Sequence, residues 1–182
     1  MGKFGHLTTE QIEFVLHSAN ADRDQIRYFV ETGTYHGDST RVAASMFENV
    51  HTIDCQQDMI NIATAKSAGD ANKIQFHLGM SVDVLPKLFE QEQALASEPA
   101  FWFFDAHSVM PHLCPLLQEL RIVLDNGGRG IFLFDDLRLF DKFEDWKGIN
   151  VKSIAREFEL RNIPITSPVL YKDMLLLSTF VK

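Results

Sequence analysis

The chain has 182 residues, of which 46% are hydrophobic, and a formal net charge of −8. This length suits one domain with a sizeable core, which we predict over residues 1–182. No apolar run is long enough to span a bilayer, and the acidic balance opposes nonspecific nucleic-acid binding, so we expect neither membrane nor nucleic-acid partners. Cys55 and Cys114 show no metal or redox spacing, and residues 1–6 contain no apolar signal core, which makes the cytoplasm the expected location.

The first half of the chain alternates helices and strands. Thr8 and Gln11 have the spacing of a capping box, which predicts a helix start, and residues 26–30 have the β-branched and aromatic character of a buried strand. A glycine-bearing turn and a second helix come next. The pattern then predicts a strand over 50–54, a helix over 57–67 and a strand over 73–78.

The second half continues this alternation and ends in a hairpin. Ser81 is the predicted N-cap of a helix that tolerates Pro86 in its first turn. Residues 100–105 and 130–136 are apolar until they end in acids, as in strands that are buried on both faces of a parallel sheet. The other predicted elements are helices over 113–124 and 150–161 and strands over 165–170 and 173–181. We therefore expect an α/β fold, a three-layer Rossmann-like sandwich with a mostly parallel sheet and a C-terminal antiparallel hairpin.

The turn after the first strand, residues 31–40, is the clearest candidate binding segment. Gly33 and Gly37 free the backbone for a tight turn, and the helix that follows aims N–H groups and its positive dipole end at an anionic group. The strict dinucleotide spacing G-x-G-x-x-G is absent, because Tyr35 occupies its middle position. Since such turns also join strands to helices without a ligand, both interpretations stay open at this point.

Acids end most of the predicted strands, at the sheet edge where ligands bind in α/β proteins. Asp54 lies 21 residues after Gly33, the separation of a ribose-binding acid, although a solvated carboxylate or a helix cap would also fit. Asp105, Asp135 and Asp136 end strands that we expect to be neighbours. Three converging carboxylates favour a hard cation such as Mg²⁺ or Ca²⁺; alternatively, they orient the turns and cap helices.

Two basic side chains lie near these acids. His107 has the chemistry of a general base or a metal ligand, yet a single loop histidine is more often neither. Arg138 could clamp an acidic substrate group or pair with the neighbouring aspartates. We interpret the histidines without shared spacing as ordinary surface or core residues: His36, His51, His77 and His112.

These motifs resemble those of class I S-adenosylmethionine (SAM) dependent methyltransferases, specifically the cation-dependent catechol and caffeoyl-CoA O-methyltransferase type. Residues 31–39, Glu-Thr-Gly-Thr-Tyr-His-Gly-Asp-Ser, are similar to the E-x-G-x-Y-x-G-x-S cofactor loop of that group. The resemblance implies that Asp54 binds the ribose and that residues 79–81 contact the adenine. It implies SAM contacts for Glu31, Gly33, Tyr35, Gly37, Ser39, Asp54, Gly79, Met80, Ser81 and Asp105.

The resemblance also implies catalytic roles for Asp105 and His107 and a metal site formed by Asp105, Asp135 and Asp136. A closer likeness is to bacterial methyltransferase-like proteins with the motifs E-T-G-T-x-x-G, D-A-H, C-P-L-x-x-E-L and D-D-x-R-x-F, found here at 31–37, 105–107, 114–120 and 135–140. The chain departs from both groups. Ser108 replaces the lysine of the cation-dependent enzymes, and residues 108–112 replace a glycine-rich loop.

Together these observations predict a SAM-dependent O-methyltransferase that acts on a hydroxylated small molecule or a glycan, with or without a divalent cation. Two alternatives belong to other classes. One is a non-catalytic SAM-binding module with a regulatory or assembly role, and the other is a nicotinamide-dependent oxidoreductase, against which Tyr35 argues. The sequence leaves open the methyl acceptor and the oligomeric state, a homo-oligomer included.

Overall fold

The computed structural model describes residues 6–107 and 113–181, so the substituted loop at 108–112, with Ser108 and His112, lies outside the described residues. The strands are β1 Tyr28–Thr32, β2 Asn49–Asp54, β3 Ile74–Leu78, β4 Ala100–Phe104, β5 Gly130–Phe134, β6 Val169–Tyr171 and β7 Met174–Ser178. The α-helices are α1 Thr9–Ser18, α2 Asp38–Met46, α3 Gln57–Lys66, α4 Ser81–Gln91, α5 Leu116–Asp125 and α6 Val151–Glu159. Short 3-10 helices lie at Arg23–Gln25, Ala68–Asp70, Gln93–Ala96, Leu137–Leu139 and Glu144–Trp146.

The strands form one sheet in the order β3-β2-β1-β4-β5-β7-β6. The strands β1 to β5 are parallel, whereas β7 runs antiparallel to both β5 and β6. The predicted α/β sandwich with a C-terminal antiparallel hairpin is therefore confirmed. Chain order reverses between β1 and β4, and ligands of open α/β sheets bind outside the carboxyl ends of the strands at such a switch point.

The central strands are buried on both faces, which explains their continuously apolar sequences. In β4, Phe101 and Phe103 pack with α1 and α2, whereas Trp102 and Phe104 pack with α4, α5 and α6. Because side chains alternate between the faces of a strand, every residue of β4 needs an apolar neighbour on one side or the other. The sheet is thus the middle of three layers.

Several local predictions are confirmed and others are wrong. The capping box between Thr8 and Gln11 begins α1 as expected. The first strand extends to Thr32, so that Glu31 lies within it. Met80 is the N-cap of α4 because its backbone is extended, whereas Ser81 is already helical and Pro86 lies in the helix interior. No helix in the described ranges is long and apolar enough to cross a membrane.

Two histidines meet on neighbouring strands of the sheet. His51 Nδ1 lies 3.2 Å from His77 Nε2, and His51 is 1% exposed. Burial, followed by the proximity of His77, lowers the pKa of His51 from 6.5 to about 4. Burial likewise lowers the pKa of His77. The folded protein therefore takes up protons at this pair less readily than the unfolded chain does.

This difference predicts that His51 costs stability in mild acid. Below about pH 6.5, His51 binds a proton in the unfolded chain but stays neutral in the folded protein. The contribution of His51 to the free energy of unfolding therefore falls by about 1.4 kcal/mol per pH unit until about pH 4. We expect His51→Phe to lose less stability than the wild type between about pH 7 and about pH 5 in urea titrations. The exposed control His17→Phe should follow the wild type, and equal losses in all three proteins would contradict the assignment.

Candidate active site

The switch point is held together by a contact between the loops after β1 and β4. Gly33 has a φ of +90°, and a Cβ built there would lie 2.4 Å from the carbonyl oxygen of Asp105. The Asp105 N–H donates to the Thr32 carbonyl at 3.0 Å, which fixes the same two segments. Only glycine fits this close approach with a left-handed backbone. The predicted cofactor loop and the predicted catalytic acid therefore adjoin one another.

The second glycine of the loop has a packing role. Gly37 is the N-cap of α2, with a φ of +73°, and a Cβ there would lie 2.7 Å from the Cβ of Ala63 in α3. The N-cap residues of α2, α3, α4 and α5 make no side-chain capping hydrogen bond, whereas α1 and α6 carry capping boxes. Uncapped helix starts present free N–H groups, which are suited to anions.

Glu31 faces inward from β1. Its Oε2 accepts hydrogen bonds from the hydroxyls of Thr40, at 2.5 Å, and Thr52, at 2.7 Å. Burial raises the pKa of Glu31 to about 7 despite these two bonds. The carboxyl thus joins β1, β2 and α2 beneath the loop, and its predicted contact with a cofactor stays a prediction.

The other polar side chains of the loop differ in their accessibility. Ser39 is buried and accepts the backbone N–H of Leu7 at 2.9 Å, which attaches the segment before α1 to the start of α2. Tyr35 has a φ of +46° and is 61% exposed, with its ring stacked on His36 at 3.9 Å between centroids. Of these two side chains, Tyr35 is the one that is open to a ligand.

Asp54 connects the loops that follow β1, β2 and β3. One carboxylate oxygen accepts the N–H of Tyr35 and the other accepts that of Gln56, each at 2.9 Å. Its own carbonyl accepts the N–H of Gly79 at 2.9 Å. A carboxylate oxygen has more than one acceptor site, so Asp54 retains the capacity to bind ribose hydroxyls. The structure also brings Met80 and Ser81 beside this group, at the start of α4.

Asp136 is the acid whose charge is best compensated. It is buried, with a φ of +59°; one oxygen pairs with Arg138 and the other with Nε2 of His107. Although burial opposes the shift, these two partners lower the pKa of Asp136. Arg138 also pairs with Asp173 in the turn between β6 and β7. Of the two roles considered for Arg138, the structure therefore shows pairing with acids.

Asp105 and Asp135 are less well compensated. Burial is the main reason that the pKa of Asp105 lies well above its usual value, and the nearby charges of Asp135, Glu31 and Asp136 add to the effect. Burial raises the pKa of Asp135 to about 6. The site without a ligand therefore disfavours the charged forms of both carboxyls, and a nearby cationic ligand would favour them.

His107 is held between two acceptors. Its Nδ1 lies 3.1 Å from the Asp105 carbonyl oxygen while its Nε2 faces Asp136. Both ring nitrogens can donate only in the imidazolium form. The hydrogen bond to Asp136 is the main cause of the raised pKa of His107. This arrangement favours the imidazolium form of His107 beside the acids.

The three acids predicted as metal ligands do not form one ligand set. The described residues contain two compact groups instead: Asp105, His107 and Asp136, and Asp135, Asp136 and Asp173. Both groups include Asp136, and a cation that bound through it would have to displace Arg138 or His107. The donor set therefore does not fit a divalent cation without rearrangement, and the cation stays a prediction.

Sequence reasoning missed two acids. Glu119 is buried on α5. The signal that could have revealed it is an acid within the apolar stripe of the C-P-L-x-x-E-L motif. Asp173 accepts the backbone N–H of Arg138 at 2.8 Å and also pairs with its guanidinium. Asp173 lies in the tight turn between β6 and β7, and no local sequence pattern connects it with Arg138.

The contact at Gly33 predicts that alanine will destabilise the fold. A positive φ costs an ordinary residue about 1–2 kcal/mol, and the steric conflict with Asp105 adds about 1–3 kcal/mol, so Gly33→Ala should lose roughly 2–5 kcal/mol in urea unfolding. Gly148→Ala, at a φ of +83° in open space, controls for the dihedral alone. Gly69→Ala, which has open space and no positive φ, shows neither effect and gives the baseline for replacing a glycine by alanine. Equal losses for Gly33→Ala and Gly148→Ala would contradict the close contact.

No protein-family model matches the chain, and no curated protein matches its sequence. Solved structures do resemble it. An O-methyltransferase from Bacillus cereus in complex with SAH has 19% identity and a TM-score of 0.64, with 94% of this chain and 80% of that chain covered. The N-methyltransferase NodS from Bradyrhizobium japonicum has 15% identity, a TM-score of 0.56 and coverages of 93% and 90%. An rRNA methylase from Streptococcus thermophilus has 14% identity, a TM-score of 0.56 and coverages of 97% and 98%.

These proteins share an architecture while their names indicate different methyl acceptors, so the likeness concerns the fold and leaves the acceptor open. The chain has the Rossmann-like fold of class I SAM-dependent methyltransferases.

Proposed function

We propose that the protein is a SAM-dependent O-methyltransferase that acts on a hydroxylated small molecule or a glycan. The supporting observation is the charge pattern at the switch point, where the glycine loop that leads into α2 lies against Asp105 and the carboxyls of Asp105 and Asp135 are not fully compensated. SAM carries a carboxylate, an ammonium and a sulfonium, and this pairing of positive and negative sites complements it.

The residues suited to hold the cofactor follow the sheet edge. The loop over 33–39 would bind the amino-acid end, Asp54 the ribose hydroxyls, and residues 79–81 the adenine. The free acceptor capacity of Asp54 and the missing side-chain cap of α2 both support this order. When bound, SAM supplies an electrophilic methyl group on a positively charged sulfur.

The segment that follows Arg138 carries aromatic side chains, one of which contacts His107. Trp146 contacts His107 edge to face, with 6.2 Å between ring centroids, and stacks with Phe140 at 5.9 Å. Phe143, in the same segment, is exposed. Aromatic side chains pack well against the faces of flat or sugar rings while leaving ring hydroxyls to polar groups. Trp146 and Phe140 are themselves buried, so Phe143 is the ring of these three that is open to a ring-bearing alcohol or phenol.

The carboxylate of Asp105 is suited to accept the proton of the acceptor hydroxyl. The oxygen then forms a bond to the methyl carbon as the carbon–sulfur bond breaks, and the proton remains on Asp105. The raised pKa of Asp105 makes its carboxylate a stronger base than an ordinary aspartate. The positive charges of His107 and Arg138 stand where they can stabilise the developing alkoxide, and the site's main contribution is alignment.

The first test is cofactor binding. We expect isothermal titration calorimetry to show SAH binding by the wild type and about tenfold weaker binding by Asp54→Asn, because one charged acceptor for the ribose is lost. The control Asp24→Asn lies on the exposed 3-10 helix before β1, at the opposite edge of the sheet, and should bind like the wild type. A folded wild type that does not bind SAH would refute the proposed function.

The second test separates a protein base from a metal ion. Methyl transfer to a panel of phenols and sugars should lose roughly 10²- to 10⁴-fold in rate in Asp105→Asn and should rise with pH as Asp105 ionises. EDTA should leave the wild-type rate unchanged, and the exposed control Glu10→Gln should retain full activity. Activity that EDTA removes and Mg²⁺ restores would favour the predicted cation instead. Cofactor binding without any turnover would favour the non-catalytic module.

A further inference from the structure

The carboxyl of Glu119 lies in an unusual place for an acid. It is 0% exposed and projects from the apolar stripe of α5, among Leu116, Leu120 and Val123. Burial raises the pKa of Glu119 to about 7, and no cationic side chain contributes to the shift. The core could be filled by an apolar residue at this position, so the acid calls for another explanation.

Hydrogen bonding satisfies Glu119 only in part. Its Oε2 accepts the hydroxyl of Thr32 at a long 3.3 Å, and its Oε1 has no hydrogen-bond partner within the described residues. The hydroxyl of Ser81 is close enough to favour the charged form of Glu119. Among the described residues, the Cys114 thiol interacts electrostatically with Glu119. Burial raises the pKa of Cys114 to about 12, so Cys114 stays a neutral thiol near neutral pH.

The two hydroxyls near Glu119, those of Thr32 and Ser81, belong to different halves of the candidate cofactor site. Thr32 directly precedes Gly33, whose loop would bind the amino-acid end of SAM. Ser81 is the first residue of α4 and follows Met80 in the segment that would bind the adenine. Glu119 therefore accepts a hydrogen bond from the residue that precedes the cofactor loop and interacts with the first residue of α4.

We propose that Glu119 is a positioning residue for the cofactor, and that its protonation state determines whether the Ser81 hydroxyl is free to bond the adenine. This inference rests on the proposed function. A carboxylate accepts hydrogen bonds more strongly than a neutral carboxyl. Ionised Glu119 would therefore draw the Ser81 hydroxyl towards its unpartnered Oε1, whereas neutral Glu119 would release that hydroxyl to the ligand.

The resulting prediction concerns the pH dependence of SAH affinity, measured by calorimetry between about pH 6 and about pH 8.5. Wild-type affinity should fall by about five- to tenfold as Glu119 ionises, the range expected for one hydrogen bond. Glu119→Gln cannot ionise and has nearly the same shape, so it should lose this fall and bind at high pH as the wild type does at low pH. The exposed control Glu90→Gln lies on α4, the helix that carries Ser81, and should keep the wild-type profile.

Ser81→Ala provides a second variant that leaves Glu119 in place. It should bind SAH weakly at every pH, without the fall seen in the wild type, because the hydroxyl that Glu119 controls is missing. The pKa values of Glu31, Asp105 and Asp135 are also raised near the site, but these residues are common to all the proteins compared, so the difference between the wild type and Glu119→Gln is the readout. A wild-type profile in Glu119→Gln would overturn this inference alone, whereas absence of SAH binding at every pH would overturn both proposals.

Discussion

The structure depends on the close approach of Gly33 to the carbonyl of Asp105. At this point β1 and β4, adjacent in the sheet but far apart in the chain, send their loops to opposite sides. A side chain at Gly33 would push the two loops apart. The crevice between them, where ligands bind in this topology, would then change shape. The contact fixes the start of the loop that leads to α2 against Asp105, the acid that follows β4.

The electrostatics of the crevice divide its acids into two kinds. Asp136 is neutralised by His107 and Arg138 and acts as a fixed structural ion, because both partners are part of the chain. Asp105 and Asp135 lack such complete partners, and burial disfavours their charged forms. A cationic ligand beside Asp105 and Asp135 would stabilise their charged forms. The contacts of Arg138 and His107 with Asp136 also reduce the need for a metal ion there.

Much of the fold was predictable because its signals are local or periodic. Continuous apolar runs in β4 and β5 indicate burial on both faces, and the capping box at Thr8 marks a helix start. Local rules failed where a distant partner decides. Ser81 has the chemistry of a helix cap, yet it is helical and lies near Glu119 on α5. Glu31 was expected to end its strand, but hydrogen bonds to Thr40 and Thr52 hold it within β1.

The sequence by itself determined the α/β class, the parallel sheet with its antiparallel end, and the set of strand-end residues from which a site could be built, because hydrophobic periodicity and turn chemistry act over a few residues. Tertiary structure decided which of those residues meet. Three features depend on the strand order: the pairing of Arg138 with Asp173, the position of the His107 ring between Asp105 and Asp136, and the buried carboxyl of Glu119. Strand order brings together residues that are distant in the chain, and no local pattern records such contacts.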